Sequence, residues 1–282
     1  MTLKATAVCF ALSLSFASLA AAESVSLSAT KDNTLFQPSD GTSQLSNAKG
    51  DILVGRAGAP SNYTTRRGLI DFDIAANVPA GATITGVSLA MCETAGNNGT
   101  RTVELHRLLR DWGEGTSISS SAAQATNGDA TWSYTFYNAA NPSVSPPWTA
   151  PGGDYDYSPT LSAAATITAG SPNAIFTWSS ANNPQMRADV QSWLDQPTTN
   201  FGWLMLGDES TGQTTKRFSS REATTAGYRP LLTIDYSPAP EPAAVVLAVV
   251  GVAGLAAARF RRCCRHRSVR RRCDSKRDGS HE

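Results

Sequence analysis

The residues of this 282-residue chain best suited to chemistry lie in one aromatic stretch. In Gly153-Asp154-Tyr155-Asp156-Tyr157 two acids alternate with two tyrosines. Alternate oxygen donors on a loop suit Ca²⁺, so Asp154 and Asp156 are candidate ligands for a structural Ca²⁺; the other reading is a pair of solvated loop acids. Around them lie Trp112, Trp132, Tyr134, Phe136, Tyr137, Trp148, Tyr155 and Tyr157. Aromatic rings on loops can stack on the apolar faces of sugars, or they can fill a small core beneath a long excursion. Trp148, Tyr155 and Tyr157, beside Gly152-Gly153, are the candidate sugar-stacking residues. Arg66, Arg67, Arg107, Arg110, Lys216, Arg217 and Arg221 could line a patch for an acidic polysaccharide, because a guanidinium grips carboxylates bidentately. Arg107 and Arg110 are the candidates nearest the aromatics in sequence. Salt bridges to neighbouring Asp and Glu are the competing use of these cations.

Several chemistries are excluded by composition. Between residues 23 and 258 the only histidine is His106 and the only cysteine is Cys92. A multi-histidine zinc centre and a disulfide within that stretch are therefore impossible. There is no G-x-S-x-G elbow, no H-E-x-x-H and no P-loop. Asp208 and Glu209 are adjacent carboxylates, but on a strand they would point to opposite faces, whereas a glycosidase needs two carboxyls facing one cleft. His106 alternates with Leu105 and reads as a sheet-face residue. The expectation is a non-enzyme that requires no cofactor.

Charge divides the chain. The formal net charge is only +1, yet residues 259–282 carry ten Lys and Arg against three Asp and Glu, a net of +7. Residues 23–258 carry 13 basic and 20 acidic side chains, a net of −7. Such asymmetry reflects a membrane or nucleic-acid contact, and lipid headgroups account for the basic tail without nucleic acid. Residues 1–22 read as a signal peptide, with Lys4 before an apolar run and Ala20 and Ala22 at the cleavage site. The 16 uncharged residues 243–258 would span roughly 24 Å as a helix, a short transmembrane segment that flanking arginines extend by snorkelling. The basic tail 259–282 would lie in the cytoplasm and the body outside.

Pro240-Glu241-Pro242, the apolar segment and a cluster beginning Arg259, Arg261, Arg262 together resemble the PEP-CTERM sorting signal. The resemblance implies a bacterial exported protein, held transiently in the inner membrane. A membrane protease of the exosortase type would cut near the tripeptide and pass the body to the cell surface or extracellular matrix. Signal peptidase would act at the other end.

Positioning of the candidate residues falls to strands. Arg67–Ile74 alternates, with Ile70, Phe72 and Ile74 on one face and Asp71 and Asp73 on the other. Val87–Cys92 and Thr102–His106 alternate too, which means strands with one buried face. Further strands are expected at Ile52–Gly55, Ile175–Trp178, Phe201–Leu206 and Leu231–Tyr236. One helix is expected, capped by Asn183, with Pro184 at its first position, Met186, Val190, Trp193 and Leu194 on one face, and Gln196-Pro197 at its end. Many strands and one short helix predict an all-β, antiparallel β-sandwich of jelly-roll type over 23–236, followed by a linker over 237–242.

Asp32-Asn33-Thr34, Arg67–Asp73, Pro79–Ile84, Arg110–Thr116, Trp148–Asp154, Phe218–Glu222 and Arg229–Ile234 occur in the order seen in DNRLRE domains, which this stretch resembles. The resemblance implies a β-sandwich similar to carbohydrate-binding modules, with acidic glycans of the alginate type among the ligands of relatives, and gives Arg221 and Glu222 structural roles. The expected function is a non-catalytic polysaccharide-binding or structural module. The alternatives are a polysaccharide lyase or hydrolase and a purely structural adhesion or coat protein.

Overall fold

The computed structural model describes residues 21–239 except 63, 98, 120 and 169–172. The signal segment with Ala20, the Pro240-Glu241-Pro242 motif, the apolar run 243–258, and Arg259, Arg261 and Arg262 lie outside the described residues. Ala22 is described and exposed. Among the described residues no helix is long and apolar enough to cross a membrane.

The fold is mostly β, with every strand pairing antiparallel. The strands are β1 (Glu23–Ser28), β2 (Lys31–Phe36), β3 (Leu45–Ser46), β4 (Ile52–Arg56), β5 (Thr65–Asp71), β6 (Thr83–Gly96) and β7 (Arg101–Leu108). They continue with β8 (Ala123–Gln124), β9 (Tyr157–Ile167), β10 (Ala174–Ser179), β11 (Trp203–Leu206), β12 (Lys216–Phe218) and β13 (Leu231–Ser237); the one α-helix among the described residues is α1 (Pro184–Asp195). One curled sheet runs β1-β13-β6-β12-β4-β5-β11-β7-β9, with β10 also on β6 and β2 also on β5; β3 and β8 form a separate pair. The bend falls at β4. Ile52, Leu53 and Val54 pair with β12, whereas Gly55 and Arg56 pair with β5. Gly55 makes the switch at φ 101°, where an added Cβ would lie 2.9 Å from the Thr214 carbonyl oxygen. Only glycine takes that backbone without strain.

Curling brings side chains of both halves into one core, including Ile52, Val54, Ile70, Leu89, Met91, Val103, Leu105, Trp178, Trp203 and Phe218. Apolar contact over that area is the main favourable term in folding. Trp178 satisfies its indole N–H on the Val103 carbonyl at 2.8 Å. Helix α1 packs Met186, Val190, Trp193 and Leu194 into this core, the face expected from their spacing. Pro184 opens the helix as expected, but Asn183 does not cap it. Its side-chain amide instead donates to the Ser179 carbonyl at 3.1 Å.

Two strand expectations differ from the structure. Strand β5 ends at Asp71, so Phe72 and Ile74 reach the core from an irregular segment. Both faces of β5 and β11 are buried: Ile70, Trp203 and Met205 face the main core, and Leu69 and Leu204 face a second. The second core is closed by Trp112, Ala130 and Trp148 from the long excursion between β7 and β9. A strand covered on both sides loses the polar alternation that marks a half-exposed one.

Candidate functional site

The excursion over 109–156 divides its aromatics sharply. Trp112 and Trp148 are 1% and 4% exposed and belong to the second core, with Trp132 packed against them. Trp112 donates its indole N–H to the Phe201 carbonyl at 2.9 Å, and Trp148 donates to that of Thr131 at 2.8 Å. Tyr134 and Tyr137 stack on each other with ring centres 5.9 Å apart. Tyr157 is half-buried, its ring edge-on to His106 at 5.2 Å. Tyr155, by contrast, is 82% exposed.

The loop that carries Tyr155 is fixed from both sides. Gly152 and Gly153 adopt φ 84° and 81°, and the Gly152 amide donates to the Trp132 carbonyl at 2.6 Å. From strand β5, Arg67 donates to the Gly152 carbonyl at 2.9 Å and to Asp154 at 2.7 Å, with its guanidinium 5.2 Å from the Trp132 ring centre. The same guanidinium binds Glu209 twice. Burial penalises the Arg67 charge, but Glu209 and Asp154 outweigh this and hold its pKa above the usual arginine range. On the other flank, Asp156 accepts from the Thr149 amide at 2.5 Å and the Thr149 hydroxyl at 2.8 Å, and pairs with Arg110 at 3.2 Å. Arg110 also donates to the Pro147 carbonyl at 2.9 Å. Between these anchors Tyr155 is held at φ 67°, a left-handed backbone that costs a non-glycine residue of order 1 kcal/mol. The outcome is a rigid loop presenting one aromatic ring to solvent, with the exposed Arg110 tied to the residue next to it.

The five sugar-contact candidates therefore separate. Tyr155 and Arg110 are exposed and share Asp156 as a neighbour. Trp148 is in the core and Tyr157 is mostly covered. Arg107 reaches the helix side, donating to Ser192 at 3.0 Å and Thr199 at 3.1 Å and lying over Trp193. Nor do Asp154 and Asp156 converge on a common Ca²⁺: one turns to Arg67 and the other to Thr149 and Arg110. Alternation along five residues sent them to opposite flanks because the positive-φ backbone at 155 turns the chain between them.

The cations that could have lined a patch are dispersed, and most are paired with Asp or Glu, the competing use. Lys216 is buried against Glu93 at 3.0 Å, Arg66 lies over Phe36, and Arg217 is 3.8 Å from Asp51. Asp208 and Glu209 follow β11 and are not on a strand; Asp208 faces Arg101 at 3.5 Å and Glu209 faces Arg67 at 2.8 Å.

A second charged cluster unites three distant segments. The Arg221 guanidinium grips Glu114 through Nε at 2.6 Å and Nη2 at 2.7 Å, and its backbone amide donates to Asp32 Oδ2 at 2.8 Å. Glu114 Oε1 also accepts from the Asp32 amide at 3.0 Å. Lys49 Nζ bridges Glu114 at 2.6 Å and Glu222 at 3.1 Å. Next to Asp32, the Asn33 amide donates to the carbonyls of Glu114 and Ala130. Burial pushes the Asp32 carboxyl well above the usual range, and nearby Glu222 and Glu114 add to this. Burial also acts against the Glu114 carboxylate, but Arg221 and Lys49 outweigh it and hold its pKa down. Asp32, Glu114 and Glu222 each place a carboxylate oxygen within 4.8 Å of the others. Arg221 and Glu222 thus hold the fold together, at the meeting point of segments 32–34, 110–116 and 218–222. Separations of up to 189 residues leave no local signal for the convergence itself. The chain matches no known protein-family model and no curated protein.

Proposed function

We propose that the protein is an exported cell-surface or matrix protein whose body is a non-catalytic polysaccharide-binding module, a β-sandwich of jelly-roll type. In this reading an exosortase-type protease processes it at Pro240-Glu241-Pro242. The partner switch in β4, with both halves of the sheet closing on one core, favours a sandwich. The observation that carries the binding reading is Tyr155, an 82% exposed ring on a loop whose every other anchor is buried or paired. A ring held by a fixed loop away from any core is free to contact something outside the chain. Stacking on a pyranose face is the contact that such a ring offers most directly. Arg110, fixed at its base by Asp156, would meet a carboxylate or hydroxyl of the same chain.

The test is affinity electrophoresis of the purified protein through gels containing alginate, pectin or a neutral glucan. Retardation by at least one polymer, lost in Tyr155→Ala, is the expected result. Migration unchanged by every polymer would overturn the reading, leaving an adhesion or coat role. Release of soluble sugars from the polymers would point to an enzyme.

A further inference from the structure

The charged cluster at Asp32 has a feature that the fold alone does not require. Two cations, Lys49 and Arg221, face three carboxyl groups, Asp32, Glu114 and Glu222. Both oxygens of Glu114 are taken by Arg221, Lys49 and the Asp32 amide. The other two acids are each left with one unserved oxygen. Asp32 has no exposed surface, and its Oδ1 is buried without a hydrogen-bond donor; Glu222 is partly exposed, but its Oε2 is also buried without a donor. An unpartnered buried carboxylate oxygen costs several kcal/mol, so two in one cluster need an explanation.

We propose that Asp32 Oδ1 and Glu222 Oε2, with Glu114 beside them, form a site for a divalent cation of the Ca²⁺ type. The donors are all carboxylate oxygens, the set preferred by hard cations, and waters would complete the shell. Three carboxyl groups, each with an oxygen within 4.8 Å of the others, outnumber the two cations, and a bound ion would offset the charge of the third when all three are ionised. Lys49 approaches Glu222 on Oε1, leaving Oε2 to the ion, and meets Glu114 on Oε2. Its side chain is 26% exposed, so it can swing outward as the ion enters. The ion would clamp β2, the 110–116 segment and the 218–222 segment at one point, which makes its role structural. The site is separate from Tyr155, so its failure and that of polysaccharide binding are distinguishable.

The experiment follows thermal unfolding of the full chain in CaCl₂, in NaCl of matched ionic strength, and in EDTA. The expected result is a rise in Tm of roughly 5 °C with CaCl₂. Asp32→Asn and Glu222→Gln should each abolish that rise, whatever they do to the baseline Tm. A second readout, independent of stability, is Tb³⁺ luminescence excited through tryptophan, with Trp112 two residues from Glu114. Emission should appear with the wild type, fall on adding Ca²⁺, and be absent in Asp32→Asn. Equal Tm in CaCl₂ and NaCl without Tb³⁺ emission would overturn the proposal, as would a full Ca²⁺ response in Asp32→Asn.

Discussion

Arg67 meets Glu209 through two parallel hydrogen bonds, Nε to Oε1 at 2.8 Å and Nη2 to Oε2 at 2.9 Å. This fork fixes the plane of the guanidinium, leaving Nη1 to hold Gly152 and Asp154 in the Tyr155 loop. Arg67→Ala should therefore cost about 3 kcal/mol in chemical denaturation, since it removes a buried guanidinium that holds Glu209, Asp154 and the Gly152 carbonyl. It should also abolish polysaccharide retardation, though Arg67 is 9% exposed at its side chain. Arg67→Lys should rescue little, because an ammonium cannot serve all three acceptors in that geometry. Retained binding in Arg67→Ala would show that the loop holds its shape without the strand.

Tyr155 offers a way to separate function from stability. Tyr155→Ala should weaken polysaccharide binding roughly tenfold, while leaving the aromatic core untouched. Tyr155→Gly should weaken binding equally yet leave stability within about 0.5 kcal/mol of the parent, since glycine accepts φ 67° without strain. Gel retardation and urea melts on the same samples check both halves.

Asp71 predicts a pH signature. Burial, the dominant influence, raises its carboxyl to about 6 from an ordinary 3.8, despite the opposing charge of Lys31. The folded protein therefore holds a proton that the unfolded chain releases between those values. The contribution of Asp71 is most favourable below about pH 4 and is lost as pH rises to about 6. Asp71→Asn should flatten the stability profile over that window and stabilise the protein by about 1–2 kcal/mol at pH 8. Urea midpoints measured from pH 4 to pH 8 would reveal this; parallel profiles for variant and parent would contradict it.

Gly115 and Gly128 make a contrast. At Gly115, φ 74°, an added Cβ would fall 1.5 Å from Asp129 Oδ1, the carboxylate that accepts the Thr116 amide at 2.8 Å. At Gly128, φ 86°, the nearest atom would be 3.9 Å away. Gly115→Ala should cost at least about 3 kcal/mol by breaking the Asp129 network, whereas Gly128→Ala should cost only about 1 kcal/mol of backbone strain. Thermal melts of the two variants side by side decide it.

The sequence made the sheet legible wherever one face is wet. Val87–Cys92, Thr102–His106, Ile175–Trp178 and Leu231–Tyr236 all fall in strands, and the α1 face was readable from four residues. Strand β2 was not legible as a strand: Asp32, Asn33 and Thr34 look like a loop, yet they are fully buried, with Arg221 serving Asp32 Oδ2, Ala130 the Asn33 side-chain amide and Leu53 the Thr34 hydroxyl. Strand β12 begins Lys216-Arg217, and its buried lysine is tolerable only because Glu93 waits across the sheet. At the candidate site, composition pointed to the loop that carries Tyr155 but could not choose among its aromatics. Trp148 and Tyr155 are seven residues apart and equally apolar in pattern. Which one faces water was decided by β5 and β11, distant strands that offer Trp148 a second core to fill.

The register of β1 against β13 bears on how the domain carries load. Glu23 lies opposite Tyr236, whose hydroxyl donates to the Glu23 carboxylate at 2.9 Å, so the two described ends leave from the same corner. Strand β13 is itself flanked by β1 and β6 along its length. Tension entering through the chain beyond Ser237 therefore does not peel an edge strand away rung by rung. Pulled along its own axis, β13 would shear two antiparallel ladders together, with their hydrogen bonds set across the direction of pull. A domain anchored from that side would resist drag far better than one held by an edge.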